Sequence, residues 1–127
     1  MNITLNGKTA LITGGNVGIG AGIAQALAQC GAKVAITYYS HQDAAQETVG
    51  KITDAGGEAY AYALDATDSD QVNAVVRSAA AALGGKIDIL VNNAGHLIGR
   101  IPISEMDDTH WHNVIDVNLS SAFYATR

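Results

Sequence analysis

The sequence has little cysteine, little proline, few positive charges and no long hydrophobic run. Cys30 is the single cysteine among 127 residues, which excludes an internal disulfide and favours a reducing compartment. Seven Lys and Arg against twelve Asp and Glu give a net charge of -5, which argues against nucleic acid or an anionic membrane as a partner. No apolar run approaches the roughly 18 residues of a membrane span, and a signal-peptide pattern is missing. We therefore expect a soluble cytoplasmic protein.

The composition, with 48% apolar and 15% charged residues, is typical of a globular protein, and the length suits one domain over residues 1–127. Short β-branched runs alternate with longer segments of helical periodicity. Strands are predicted at 10–13, 33–38, 59–64 and 87–91, and helices at about 19–30, 42–55, 69–83 and 111–127. This alternation predicts an α/β fold, a Rossmann-type doubly wound parallel sheet of four strands with flanking helices.

The last predicted helix carries an apolar stripe at helical spacing. The stripe comprises Trp111, Ile115, Leu119, Ala122 and Phe123. Asn118 falls on the same stripe, so we expect it to be buried and to need hydrogen-bond partners there.

A glycine-rich turn joins the first strand to the first helix. Residues 13–20 read T-G-G-N-V-G-I-G, with four glycines. Glycine lets the backbone approach a ligand closely, and the helix that follows begins with free N–H groups and a positive dipole end. A pyrophosphate suits such a place. A tight turn without any ligand is the alternative, but the surrounding βαβ unit favours a dinucleotide.

Four motifs together resemble the short-chain dehydrogenases/reductases. The turn fits their T-G-x-x-x-G-x-G pattern, and Asp65 follows the third strand in L-D-A-T-D. N-N-A-G at 92–95 follows the fourth strand, and Asn118 lies in V-I-D-V-N-L-S-S-A-F. The nearest likeness is to members similar to 3-oxoacyl-carrier-protein reductase, and it covers the amino-terminal portion of that family.

The resemblance implies a role for particular residues. Asp65 is expected to accept a hydrogen bond from the adenine amino group, with a turn or helix cap as the alternative. Asn92 is expected to hold the strand end in place. Asn118 is expected to bend its helix and take part in a proton relay. The implied cofactor contacts are Gly14, Asn16, Val17, Gly18, Ile19, Tyr39, Asp65, Ala66, Asn93, Ala94 and Gly95.

The end of the second strand bears on which nicotinamide cofactor is bound. Preference for NAD usually shows as an acid that grips the ribose 2′-OH. Residues 37–41 read T-Y-Y-S-H, with no acid before Asp43 and no arginine to pair with a 2′-phosphate. A neutral, hydroxyl-rich end tolerates a phosphate better than a carboxylate would. We therefore expect NADP in preference to NAD. No metal site is expected, since the histidines have poor spacing for one.

The family's catalytic serine, tyrosine and lysine are expected beyond the asparagine helix, and none can be assigned here. No tyrosine is followed four residues later by lysine. We therefore expect a domain truncated before its catalytic segment and inactive alone, whereas the complete enzyme would act on a small carbonyl or alcohol substrate. An open edge at the fourth strand favours either association, as a homo-oligomer, or a missing downstream polypeptide. The alternatives are a non-catalytic dinucleotide-binding or association module and, more weakly, an S-adenosylmethionine-binding domain.

Overall fold

The computed structural model describes residues 2–127 and contains a parallel four-stranded sheet with helices on both faces. Strand β1 spans Thr9–Ile12, β2 Lys33–Tyr38, β3 Ala59–Ala63 and β4 Ile89–Val91. Helix α1 spans Gly18–Gln29, α2 Gln42–Asp54 and α3 Ser69–Ala82. A 3-10 turn at Ile103–Glu105 precedes α4 at Asp108–Ile115, a π-helical turn at Asp116–Ser120 and α5 at Ser121–Thr126. The predicted fold class is confirmed.

The order of the strands places a crevice beside β1. The sheet runs β3-β2-β1-β4, so the chain adds strands to one side of β1 and then crosses to the other side. Ala10 of β1 lies opposite Val34 of β2 and Ile89 of β4. Loops that leave neighbouring strands in opposite directions open a crevice at the carboxyl ends of those strands.

Alternate residues of the strands face two separate halves of the core. Ala10 and Ile12 point towards α1 and α2, with Val34 and Ile36 beside them. Leu11 and Ala35 point the other way and pack against the α3 side. Burial of both faces explains why β1 and β2 are apolar without alternation.

Helix ends follow their sequence signals. Asp68 caps α3, because its side chain accepts hydrogen bonds from the backbone N–H groups of Asp70 and Gln71. Gly31, just past α1, has a φ of 98°, which is typical of a glycine that ends a helix. The predicted element bounds differ from these by at most two residues for the strands and the first three helices.

The last helical segment differs from two expectations, the burial of its apolar stripe and the burial of Asn118. Trp111, Leu119 and Phe123 are 53%, 64% and 58% exposed, so these three residues of the stripe do not face the core, whereas Ile115 and Ala122 are half-buried. The segment packs on α3 through its other side, where Ser121 is buried. Asn118, which was expected to be buried among the stripe, is exposed as well. Periodicity indicates that a helix has an apolar face, but it does not indicate what that face contacts.

At the amino ends of the strands, Asp88 joins β1 to the segment before β4. Its carboxylate accepts from the Lys86 ammonium at 2.9 Å and from the Thr9 backbone N–H at 2.9 Å. These hydrogen bonds, the one from Lys86 first, hold the pKa of Asp88 below its ordinary value. A carboxyl group whose pKa is lowered by folding stabilises the fold above its unfolded-state pKa, and that stability is lost as pH falls through the folded-state pKa.

We predict that Asp88→Asn lowers the free energy of unfolding at neutral pH and flattens its fall in acid. The wild-type protein should lose stability below about pH 4, where the Asp88 carboxyl of the unfolded chain takes up a proton before that of the folded chain does. Urea unfolding from neutral to acidic pH measures this. Asp54→Asn is the control, because Asp54 forms no side-chain hydrogen bond or ion pair in residues 2–127. Equal effects of the two substitutions would contradict the assigned role.

Candidate functional site

The loop after β1 wraps over the carboxyl end of the sheet. Its Gly14 donates a backbone N–H to the Thr37 hydroxyl of β2 at 3.1 Å. Gly14 and Gly18 have φ angles of 64° and 55°, a region that favours glycine. Val17 is the N-cap residue of α1 and provides no side-chain hydrogen bond to the helix. The first N–H groups of α1 are thus open to an anion.

Gly20 lets α1 begin directly against this loop. A Cβ at Gly20 would overlap the Gly14 carbonyl oxygen and lie 2.5 Å from the Asn93 side-chain nitrogen. No side chain can be accommodated there without moving the loop. Gly20 belongs to the glycine pattern but was not among the predicted contact residues; it both packs the helix start and lines the cavity described below.

A hydrogen-bonded junction, formed by Thr13 and Asn93, connects the loops after β1 and β4. The Thr13 hydroxyl accepts from the backbone N–H groups of Asn93 at 3.1 Å and Ala94 at 3.0 Å. In return, the Asn93 side-chain amide donates to the carbonyl oxygens of Thr13 and Gly14, both at 3.0 Å. Thr13 is only 5% exposed, so water competes little for these groups.

This junction corrects the expectation for Asn92. Asn93 holds the strand end, whereas the Asn92 side chain donates to the Thr126 hydroxyl of α5 at 3.0 Å. Successive residues at the end of a strand point in opposite directions, so only one of the two asparagines can reach β1.

A cavity of about 930 Å³ lies between these loops, β2 and the last helical segment. Its size is within the range of small-molecule and cofactor sites. All the predicted cofactor contacts line it, namely Gly14, Asn16, Val17, Gly18, Ile19, Tyr39, Asp65, Ala66, Asn93, Ala94 and Gly95. The structure therefore brings together residues from four separate stretches of the chain. Asn118 is not among the lining residues, although its neighbours Asp116 and Val117 are.

Asp65 takes part in a turn and also lines the cavity. One oxygen, Oδ1, accepts from the Thr67 backbone N–H at 3.0 Å and from the Thr67 hydroxyl at 2.6 Å. The other oxygen, Oδ2, makes no hydrogen bond to any group of residues 2–127. The turn predicted as the alternative role is present, and it leaves one acceptor open to a ligand.

Asn118 ties the loop after β4 to the last helical segment. Its amide nitrogen donates to the carbonyl oxygens of His96 at 2.8 Å and Val114 at 2.9 Å, and its Oδ1 accepts from the His96 N–H at 3.1 Å. The segment forms a π-helical turn at Asp116–Ser120. A Cβ on Gly95 would lie 2.7 Å from the Asn118 Oδ1. A side chain at 95 would therefore push the Asn118 Oδ1 away from the His96 N–H.

Comparison with known proteins identifies the family. The family model described as short chain dehydrogenase matches residues 8–127. The chain belongs to the short-chain dehydrogenase family. A dehydrogenase/reductase from Sinorhizobium meliloti has a TM-score of 0.94 and 42% identity, over 99% of this chain and 49% of that one.

Other relatives have named activities or ligands. A 3beta-hydroxysteroid dehydrogenase of Eggerthella lenta is 38% identical over 97% of this chain and 46% of its own length. A short-chain dehydrogenase from Burkholderia cenocepacia in complex with NADP has a TM-score of 0.91 and 39% identity, over 96% of this chain and 49% of that one. The chain spans about half the length of these relatives.

Several cavity residues of this short-chain dehydrogenase chain were not among the contacts predicted from the sequence, although residues 37–41 were expected beside the cofactor's ribose. They are Thr37, Tyr38, Ser40, His41, Leu64, Thr67, His96, Ile98, Asn113, Asp116 and Val117, besides Gly20. Ile98 has a φ of 56°, which is rare for a β-branched residue and costs conformational energy. The signal available for Ser40 and His41 was their position after β2, where a ribose is expected in such folds.

Replacing Thr13 tests the junction between the two loops. We predict that Thr13→Val lowers the free energy of unfolding by about 1–3 kcal/mol, because it removes the acceptor of the Ala94 N–H and one acceptor of the Asn93 N–H. Urea denaturation followed by circular dichroism measures the loss. Thr13→Ser keeps the hydroxyl and should cost much less. Similar losses for the two variants would show that the methyl group, not the hydroxyl, matters.

Proposed function

We propose that this chain binds the nicotinamide dinucleotide of an NAD(P)-dependent short-chain dehydrogenase/reductase. The reaction of the complete enzyme is hydride transfer between the nicotinamide and a small carbonyl or alcohol substrate. One observation carries the proposal: a cavity at the switch point of the sheet is lined by the glycine loop, Asp65 and the N-N-A-G turn together. A dinucleotide is the ligand class that such a crevice takes.

The chain's own groups suit the parts of such a ligand. The open N–H groups at the start of α1, beside Val17 and Gly18, would hold the pyrophosphate. The free Oδ2 of Asp65 would accept the adenine amino group, and the Ala66 backbone lies beside it. Ala94 and Gly95 have almost no side chain and would allow close approach of the nicotinamide ribose. The dinucleotide supplies the hydride carrier.

NADP is the preferred cofactor in this proposal. The lining at the end of β2 consists of Thr37, Tyr38, Tyr39, Ser40 and His41, and it contains no carboxylate to grip a ribose 2′-OH. The Burkholderia relative carries NADP. The His41 ring nitrogen and the Ser40 hydroxyl can both hydrogen-bond to a phosphate, whereas a carboxylate in this place would repel it.

Proton transfer is assigned to groups outside these 127 residues. Resemblance to the family implies a tyrosine with a lysine four residues later, and no tyrosine of this chain has that partner. Asn118 is the one residue here with a proposed place in the proton relay. Its side chain is occupied by His96 and Val114, so it acts by positioning the loop and the helical turn. A non-catalytic dinucleotide-binding module remains the second candidate.

Self-association belongs to the same proposal. The exposed side of the last helical segment carries Trp111, Leu119 and Phe123, each more than half exposed, and within residues 2–127 only the Arg127 guanidinium lies over the Phe123 ring, 5.4 Å from its centroid. The outer edge of β4 is also without a neighbouring strand in the described chain. Exposed apolar faces and open strand edges favour association.

Among residues 2–127 every helix is too short or too polar to traverse a bilayer. The lone Cys30 supports our placing the protein in the cytoplasm.

We predict that a polypeptide of these 127 residues binds NADPH but does not oxidise it. Binding follows from the cavity, and inactivity follows from the missing tyrosine and lysine pair. Quenching of Trp111 fluorescence or calorimetry measures binding, and nucleotide absorbance in the presence of a ketone measures turnover. Oxidation above background would contradict the assignment of proton transfer. Absence of binding would sink the proposed function.

Two substitutions at Val17 locate the pyrophosphate. Val17 is the uncapped N-cap residue of α1 and is 53% exposed. Val17→Asp should stabilise the helix as a cap yet weaken NADPH binding by about tenfold or more, because its charge repels the phosphates. Val17→Thr adds a cap without charge and should weaken binding far less. If Val17→Asp binds NADPH as tightly as the wild-type protein, the phosphates do not lie at this helix.

The association proposal is tested by Leu119→Lys. A lysine in place of this exposed side chain should shift the protein towards the monomer, as sedimentation velocity measures, without loss of thermal stability. Gln29→Lys on the solvent side of α1 adds the same charge elsewhere and should leave the oligomeric state that sedimentation velocity measures unchanged. A monomeric wild-type protein at high concentration would refute association through this face.

A further inference from the structure

The cavity differs from most phosphate sites in the charges that line it. Neither lysine nor arginine contributes to its lining within residues 2–127. Its ionisable groups other than tyrosine are two carboxylates, Asp65 and Asp116, and two histidines, His41 and His96. A ligand with several phosphate charges therefore has no permanent positive charge to pair with. The histidines are the only lining groups able to supply one.

His41 lies where the cavity meets the start of α2. It is the N-cap residue of that helix and makes no side-chain hydrogen bond to it. The neighbouring Ser40 hydroxyl is 3.0 Å from the His41 Nδ1. That contact occupies Nδ1, whether the hydroxyl donates to the neutral ring or accepts from the protonated one. In the protonated ring, and in the neutral tautomer whose Nδ1 accepts from Ser40, Nε2 keeps its hydrogen and is free to donate. Protonation thus changes the charge of the ring without changing the donor that a ligand meets.

The surroundings of His41 make its charge decisive. The glycine loop at 13–17 and helix α1 contain no charged residue. The charged groups next to it in the chain or in the cavity lining are acids, Asp43 in the first turn of α2 and Asp65 after β3. The basic groups on the surrounding elements have other partners: Lys51 with Glu47 at 2.9 Å, Lys33 with Glu58 at 3.1 Å, and Arg127 with the Ser69 hydroxyl at 2.6 Å, beside Asp68. At this end the cavity lining therefore contains one acid, Asp65, and one ring that can be positive.

We propose that His41 determines whether this cavity accepts a ribose 2′-phosphate, and that it does so through the proton on its ring. The inference rests on the dinucleotide site proposed above. When the ring is positive, its hydrogen bond to the phosphate is charge-assisted and about twice as strong as a neutral one. When the ring is neutral, nothing in the lining offsets the Asp65 carboxylate, and the advantage of NADP(H) over NAD(H) falls. Selectivity for the phosphorylated cofactor thus becomes dependent on pH.

The test compares the affinities of NADPH and NADH for the full chain from about pH 6.5 to about pH 8.5, where a histidine loses its charge. For the wild-type protein the ratio of the two affinities should fall about tenfold over this range. His41→Arg keeps a positive charge and should hold the ratio high throughout. His41→Gln keeps a donor without charge and should hold it low throughout. Because His41 is exposed, circular dichroism should show both variants folded.

His96→Gln is the matched control, since it removes the other histidine of the same cavity at the opposite end. It should leave the pH dependence of the ratio as in the wild-type protein. A similar effect of His96→Gln and His41→Gln would mean that total cavity charge governs the choice, and would overturn the role of His41. Binding of both nucleotides at a ratio independent of pH would overturn it too, with the dinucleotide site intact. Binding of neither would remove the proposed function and this inference together.

Discussion

The buried hydroxyl of Thr13 is the group on which the rest of the site depends. It accepts from two backbone N–H groups of the loop after β4 and belongs to the loop after β1. Asn93 returns two hydrogen bonds to carbonyl oxygens of the first loop. These bonds join strands on the two sides of the crevice, so the walls of the cavity cannot move apart independently. Low exposure of Thr13 makes each bond stronger than it would be in water.

Glycine at a few positions allows the rest of the site to close around that junction. Gly20 lets α1 start against the Gly14 carbonyl, and Gly95 lets the loop after β4 meet Asn118. The π-helical turn at Asp116–Ser120 accompanies an asparagine side chain that takes up the Val114 carbonyl. At Gly20 and Gly95 the absence of a side chain permits the contact between two elements, and at Asn118 the side chain bonds to a helix carbonyl. The cavity is therefore produced by close packing of loops and helix ends, and its polar groups are held before any ligand arrives.

Local sequence patterns predicted the helices and strands well, but they predicted poorly which other elements each helix or strand end contacts. The bounds of β2 agree with the predicted strand, and Asp68 caps α3 as expected, because both depend on residues adjacent in sequence. The last helix was predicted with its apolar stripe inward, yet Leu119 and Phe123 are exposed. The role expected of Asn92 is filled by Asn93 for a related reason. The partners of the two asparagines, Thr126 and Thr13, lie 34 and 80 residues away, and no local pattern identifies such partners.

The sequence by itself determined the parallel α/β order, the glycine-rich turn and the motifs that mark the family, since each is written in neighbouring residues. Tertiary structure alone decided that Asp116 and Val117 share a cavity with Asp65, and that this cavity has no lysine or arginine in its described lining. It also decided which oxygen of Asp65 stays free. Periodicity and turn chemistry are properties of short segments, whereas the charge of a cavity is a sum over groups that only the folded chain brings together.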